Sequence, residues 1–387
     1  MPIEKVAIVG AGIAGLAAAL AFARHGIASD LFEQAPHLVE VGAGLQVSPN
    51  ASRLLGELGL LSLLEAVWTE PAQISLVSGT SLRALAHVPA GGYARNRWGA
   101  PYGVLHRATL QRVLMDAVEA NPLCTLHLDT AVRDAPHATL ARLTGVAYPL
   151  VIGADGVWSN VRTAIQGSPQ PNFSGHVCWR FTFPERLVPS WLKTNQVTAF
   201  LGPSTHLVAY PLREIGGFNM VAIASGASPG RTWDAQANES QKRSLYGEFR
   251  RWDSRIVHLL RQAEQPTFWP LFEVGTGRWH NGRDTVLVGD AAHAVTPFAA
   301  QGASMAIEDA FTLARCLAES RDVPQGLAAY ESARQPRVAK VRSRGAFNRF
   351  AYHARGPIRL GRDMVLSLRP PEALAADLDW LYGFRAG

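Results

Sequence analysis

Residues Val6–Glu33 read VAIVGAGIAGLAAALAFARHGIASDLFE. Val6–Val9 is a short apolar run and predicts a buried strand. Ile13–Arg24 is rich in Ala and Leu and predicts a helix, which Gly26 ends. Ala28–Glu33 predicts a second strand. Strand, helix and strand make one β-α-β unit, so a parallel sheet is expected. At the first turn sits Gly10-Ala11-Gly12-Ile13-Ala14-Gly15. Its first glycine permits the tight turn. The second lets backbone N–H groups approach a pyrophosphate, and the third lets the helix pack close on the strand. Glu33, followed by Gln34, is the acid expected to hold a pair of ribose hydroxyls. Against this stands a chance Gly/Ala-rich helix start, which the β-α context and the placement of Glu33 disfavour. The motif points to a dinucleotide but does not separate NAD from FAD.

Two later stretches repeat the pattern of a buried strand ending in glycine. Leu150–Ile152 leads into Gly153-Ala154-Asp155-Gly156, with Arg162 downstream. Val286–Ala310 reads VLVGDAAHAVTPFAAQGASMAIEDA. There an apolar strand runs into Gly289-Asp290, a loop carries Pro297, and Gln301-Gly302 opens a small-residue helix. Singly, the first is a common Asp-Gly turn and the second a common Asp cap. If the strands share one sheet, all three ends converge, because ligands gather at the carboxyl ends of parallel strands.

The chain has 387 residues, of which 48% are hydrophobic and 18% charged, enough for a large core and two or three domains. The formal net charge is +6. Ten Lys/Arg fall between Arg334 and Arg369 against one carboxylate, Asp363. Without a nucleic-acid motif, the expectation is a solvated basic helical tail and no nucleic-acid partner. Cys124, Cys178 and Cys316 are far apart, which argues against a disulfide scaffold or a zinc site and fits a reducing cytoplasm. No metal is expected. No apolar stretch is long enough to span a bilayer.

Between the motifs, Pro49–Gly56 and Gly59–Val67 predict short helices, and Thr109–Glu119 a strong amphipathic one. Gln73–Val77 and part of Ser81–Val88 suit strands outside the parallel sheet, and Thr125–Leu128 a strand returning to it. His176–Phe183, Val197–Leu201, His206–Leu212 and Phe218–Ala224 alternate with the two-residue period of antiparallel strands. Gln241–Arg251 and Ser254–Gln262 predict helices, and Thr267–Phe272 a strand. The parallel texture resumes at Thr285, and the rest is helical.

The glycine fingerprint with Glu33, the GADG at 153–156 and the GDAAHAVTPFAAQGASMAIEDA segment resemble the single-component, class A flavoprotein aromatic hydroxylases. The likeness leans to the salicylate, 3-hydroxybenzoate and 6-hydroxynicotinate hydroxylase branch. Further matches are Gly42-Ala43-Gly44-Leu45-Gln46 with Pro49-Asn50-Ala51, His106-Arg107 before a helix, Trp179-Arg180, and Asp379-Trp380-Leu381-Tyr382-Gly383. The resemblance covers nearly the whole chain. It implies an α/β fold of the p-hydroxybenzoate hydroxylase kind. A Rossmann-type FAD-binding domain (1–72, 98–170, 275–335) would be interrupted by an antiparallel substrate domain (73–97, 171–274), with helices at 336–387. One departure is 130–149, which lacks the family's clear β-hairpins.

The resemblance further implies non-covalent FAD, with NADH or NADPH as a transient co-substrate, O2, and a small aromatic substrate. The activity expected is FAD-dependent NAD(P)H:aromatic monooxygenation through a flavin C4a-hydroperoxide, by a monomer or homodimer. Carried over by residue, Asp290 matches the aspartate on the ribityl chain, with Gly289 before it. Asp155 matches an aspartate linked to FAD and nicotinamide-nucleotide contacts. Arg107 matches an arginine beside FAD, and Gln301, Gly302 and Ala303 the backbone turn under the flavin. Alternatives are a related monooxygenase acting on a non-phenolic or larger ring (urate, a quinone precursor or a polyketide), an NAD-dependent dehydrogenase, and a flavin-binding protein without turnover.

For the substrate, His206 and Tyr210 fall on one face of their strand. A His in this strand matches the base that removes a phenolic proton in the resembling branch, against the plainer reading of a structural His. Gln301 is a second candidate, as a polar contact to substrate. Pro297 matches the loop beside the flavin, and Phe298 would wall the pocket or sit in the core. Gln46 and Arg180 could face the cavity, with a structural role the expectation for both; Arg213 could pair a carboxylate substrate, with a place on the surface at the strand end the expectation.

Overall fold

The computed structural model describes residues 3–38, 44–227, 230, 236–263 and 265–386. Gly42 and Ala43 of the glycine-rich match lie outside them. Five parallel strands form one sheet, in the order Thr285–Leu287, Val151–Gly153, Lys5–Val9, Ala28–Phe32 and Cys124–His127. The apolar runs become strands because both faces of a parallel sheet are covered. The helix Ile13–Ala23 covers one face and is buried along most of its length. Its small residues let the Gly302–Glu319 helix approach closely; Gly15 seats its own helix on the Gly10 turn, and Gly289 fits between the two helices. A Cβ on Gly15 would lie 1.9 Å from the Gly10 carbonyl oxygen. One on Gly289 would come within 3.0 Å of Ala14 Cβ and 3.2 Å of Ala306 Cβ.

The second sheet has seven strands, ordered Thr267–Val274, Pro171–Pro184, Gly217–Ser225, Thr205–Leu212, Gln196–Gly202, Gln73–Ser78 and Ala84–Pro89. All its neighbours run antiparallel except Gln196–Gly202 with Gln73–Ser78, which are parallel. Those two strands come from separate excursions of the chain, so no hairpin turn dictates their direction. The alternation along this sheet has a clear use. Leu207 and Ala209 join Trp179, Phe181, Phe218 and Met220 under the helices Glu239–Phe249 and Ser254–Arg261. His206, Val208 and Tyr210 point the other way, toward a cavity. A small antiparallel pair, Gly44–Val47 with Gly103–His106, bridges the two regions. Segment 130–149 forms the helix Pro136–Thr144 instead of hairpins.

The C-terminal chain forms the helices Val323–Tyr352, Gly356–Leu368, Pro371–Ala376 and Asp379–Tyr382. The expectation of a solvated basic tail fails at its start. Arg334 and Arg337 are buried and bonded to carboxylates of the Gly302–Glu319 helix. Desolvated guanidinium groups require such partners. Among the described residues no helix is long and apolar enough to cross a membrane.

Candidate active site

Four strand ends of the parallel sheet surround a cavity of about 560 Å³. Its lining includes Gly10, Gly12 and Ala14 from the first turn, Glu33 and Gln34 from the second strand end, and Asp155 and Asp290 from the other two. Arg107, Gly302 and Ala303 also line it. Of the residues expected to bind the cofactor, Gly15 and Gly289 are absent from this wall, and both hold helices against neighbours instead. Gly10 has φ +100°, and a Cβ there would meet the Ala154 carbonyl oxygen at 2.6 Å. Gly12 differs: a Cβ there would meet nothing within 4 Å. Its backbone borders open space, as a close-approaching phosphate requires.

Two of the three carboxylates of this cavity, Glu33 and Asp155, are held by backbone. Glu33 accepts N–H bonds from Ala11 at 2.9 Å and Ala35 at 3.0 Å, which fixes its head beside the glycine turn. Asp155 accepts from Asn160 at 2.7 Å and Val161 at 3.2 Å through one oxygen. Its Oδ1 is buried with no partner among the described residues, and burial pushes its carboxyl above the ordinary range. A buried acceptor without a donor suits a ligand that brings one. Asp290 opens the short helix Asp290–His293 with an exposed side chain. Below it, Arg162 is buried and donates to the carbonyls of Val157 (2.7 Å), Asp290 (3.2 Å) and Ala291 (2.7 Å).

A second cavity, of about 1010 Å³, adjoins the first. The two share Arg107, Gly156, Trp158, Asp290, Gly302 and Ala303. The second is walled by His206 and Tyr210 from the strand Thr205–Leu212, by Arg180 and Gln46, and by Pro297, Phe298 and Gln301. Gln46 and Arg180 both face the cavity, with Gln46 accepting the Tyr102 hydroxyl. Arg213 is exposed, as expected. Phe298 is buried against the His206 ring, with centroids 5.2 Å apart. Tyr210 is buried, and burial raises its phenol well above its usual value, so it stays protonated. His206 is only 2% exposed, and burial, then its neighbours His353 and His176, hold it well below the ordinary histidine value.

Gln301 lines the cavity and is held in place, its amide nitrogen donating to Ser48 Oγ at 3.0 Å and its oxygen accepting from Asn50 at 3.2 Å. Gln301 thereby anchors the start of the Gly302–Glu319 helix, whose N-terminal backbone borders both cavities. Beneath lies a buried ionic network. Glu308 accepts from Asn50 (2.6 Å), Arg334 (2.5 Å) and Arg337 (2.8 Å). Asp309 accepts from Arg334 (2.7 Å), His293 (2.5 Å) and the Gly289 backbone N–H (2.9 Å). Burial opposes ionisation of both carboxyls, yet the cations outweigh it and hold both below their ordinary values. Asp309 fixes the turn that presents Asp290. The adjacent acid pair in a small-residue helix was a signal for this network; its distant arginines were not paired with it from sequence. Trp158, Tyr102 and His353 carried no sequence signal.

The profile of the FAD binding domain family matches residues 4–344. A 3-hydroxybenzoate 6-hydroxylase from Aquipseudomonas alcaligenes is 34% identical over 98% of both chains. A 3-amino-4-hydroxybenzoate 2-monooxygenase from Streptomyces platensis is also 34% identical, over 99% of this chain and 96% of its own. In fold, the chain is similar to Klebsiella pneumoniae HpxO, solved with FAD and uric acid, at a TM-score of 0.80 and 23% identity over 97% of this chain and 95% of that one. Fold, paired cavities and these likenesses define a flavin-dependent monooxygenase. The chain belongs to the FAD binding domain family and, within it, to the class A aromatic hydroxylases. The open glycine turn and the orphaned Asp155 oxygen fit FAD.

Proposed function

We propose that the protein hydroxylates a small aromatic ring already carrying a hydroxyl group, of the hydroxybenzoate or hydroxypyridine-carboxylate kind. O2 and NADH or NADPH are its co-substrates. One observation carries the reading: His206 and Tyr210 share a cavity with Asp290, Gly302 and Ala303. The substrates in the relatives' names support it. Bound FAD supplies the redox chemistry and the activation of O2. The residues that would hold it are the Gly10–Gly15 turn, Glu33, Gln34, Arg107, Asp155 and Asp290. The N-terminal backbone at Gly302-Ala303 favours negative charge beside it. His206 withdraws the ring hydroxyl's proton, which makes the ring electron-rich for electrophilic attack. The protonated Tyr210 donates a hydrogen bond to the substrate, and Phe298, Ile223 and Leu271 keep the site dry.

A second reading rests on size. The cavity of about 1010 Å³ reaches Ile358 and Leu378, more room than a single ring needs. A larger or non-phenolic ring, such as urate, a quinone precursor or a polyketide, is therefore the alternative. The test is NAD(P)H oxidation by the purified protein with hydroxybenzoates, hydroxypyridine carboxylates and urate, with catalase present and peroxide assayed. Coupled product from a hydroxybenzoate or hydroxypyridine carboxylate is expected. Coupled product from urate alone would favour the second reading. A colourless protein carrying NAD would overturn both.

A further inference from the structure

His206 faces a difficulty as a base. It is buried among Phe298, Tyr352, His353 and His176, with ring centroids 5.2, 5.4 and 5.1 Å away for the first three. An imidazolium there would be stripped of water and repelled by any charge on its neighbours. Burial, above all, drives His206 far below the ordinary histidine value and His353 to about 3. A proton taken from substrate therefore does not rest on His206. The structure supplies an outlet. His206 Nδ1 lies 2.8 Å from His353 Nε2. Two ring nitrogens at that distance share one proton, so one ring donates and the other accepts.

His353 follows the long helix Val323–Tyr352, 147 residues from His206 in sequence. It does not line the cavity. It is pinned from two sides: its N–H donates to the Arg349 carbonyl at 3.0 Å, and its own carbonyl accepts from Ser204 at 3.1 Å. Ser204 belongs to the turn just before the strand that carries His206. His353 is half-buried; its Nδ1 has no hydrogen-bond partner among the described residues and is not one of their fully buried polar atoms, so solvent can reach it. His176 is near but differently engaged. Its Nδ1 lies 2.9 Å from the Ser174 carbonyl oxygen, and its ring centroid is 5.7 Å from that of His353.

We propose that His353 is a positioning residue that relays the substrate's phenolic proton from His206 to solvent, a step that rests on the hydroxylase reading above. In the starting state His206 carries its proton on Nδ1, which donates to His353 Nε2, and His353 carries its own on Nδ1. The ring O–H bond breaks and its proton goes to His206 Nε2. The His206 Nδ1–H bond breaks and that proton goes to His353 Nε2. The His353 Nδ1–H bond breaks and that proton leaves to water. One proton enters and one leaves, and both imidazoles end neutral with exchanged tautomers. His206 then presents an N–H to the phenolate it has formed. No imidazolium persists in the apolar pocket, so burial no longer opposes the transfer.

The experiment uses the FAD-loaded enzyme, with 3-hydroxybenzoate as probe, and follows ionisation of the bound phenol by stopped-flow ultraviolet absorbance from pH 6 to 9. His353→Gln keeps an acceptor for the His206 N–H but cannot pass a proton on. His353→Gln should slow ionisation at least tenfold and make its rate rise with pH, while flavin content and KM stay within twofold of wild type. His176→Gln serves as the neighbouring control and should leave ionisation within twofold. The groups facing the pair are His176 from the Pro171–Pro184 strand and Arg349 and Arg355 flanking His353, and none of these changes in His353→Gln. Wild-type ionisation rates in His353→Gln, or equal slowing in His176→Gln, would overturn the relay alone. If wild-type enzyme neither ionises nor hydroxylates 3-hydroxybenzoate, while His206→Gln behaves as wild type, the functional reading falls and the relay with it.

Discussion

At the scale of single residues, the glycines and carboxylates divide between approach and support. Gly12 leaves room for a ligand, whereas Gly15 leaves room for a backbone. Gly15→Ala puts a methyl group 1.9 Å from the Gly10 carbonyl oxygen. It is expected to cost about 1–3 kcal/mol in urea unfolding and to reduce bound flavin. Asp290→Ala leaves the turn intact, because Asp309 holds it through the Gly289 N–H. It should lower FAD retention at least tenfold, read as the ratio of flavin to protein absorbance after gel filtration. An unchanged ratio would count against its role. His206→Ala should slow hydroxylation by roughly 10²–10⁴ while flavin affinity stays within about twofold. Equal rates would return His206 to a packing role.

At the scale of elements, the Gly302–Glu319 helix is the keystone. Its first turn borders both cavities, its small residues face the first helix, and its Glu308-Asp309 pair ties it to the Val323–Tyr352 helix. Removing one charge strands the others in a dry interior. Glu308→Gln leaves Arg334 and Arg337 undercompensated and should destabilise the fold by about 3–5 kcal/mol in denaturant. The double change Glu308→Gln and Arg337→Met should recover part of that loss, because Arg334 keeps Asp309 as its partner and no arginine is left uncompensated. A single-mutant loss below 1 kcal/mol would show that water reaches the network.

At the scale of the whole molecule, the buried histidines and carboxylates set the acid behaviour. His206 and His353 titrate lower in the fold than in the unfolded chain. As pH falls below the ordinary value of 6.5, the unfolded chain takes up protons that the folded pair refuses, so stability drops. Glu308 and Asp309 also titrate low in the fold. Their contribution is intact above their ordinary values of 4.5 and 3.8, and it erodes as pH falls through their lower folded values. The melting temperature should therefore decline from pH 7.5 to 5 and fall more steeply below 4.5. A His353→Gln variant should show a shallower first decline. A flat profile between 7.5 and 5 would mean the histidines titrate normally.

Local order in the chain was enough to place residues around the cavity at the strand ends. A glycine turn after a strand, an acid at the next strand end, and two more strands ending in glycine and aspartate obey rules of short range. A parallel sheet then forces them together at its carboxyl edge. The two-residue alternation likewise put His206 and Tyr210 on one face. What the chain could not display along its length was pairing across distance. Arg334 reads as one more cation in a basic run, and only packing removes it from water and sets it on Glu308 and Asp309. Gln301 reads as a substrate contact, and only the fold brings Ser48 and Asn50 against it. His353 stands 147 residues from His206, and nothing in spacing or composition joins them. Covalent neighbours and backbone periodicity determined which residues line the cavity at the strand ends. Desolvation, which exists only once the chain has folded, decided which charges pair, and packing decided which histidine stands beside His206.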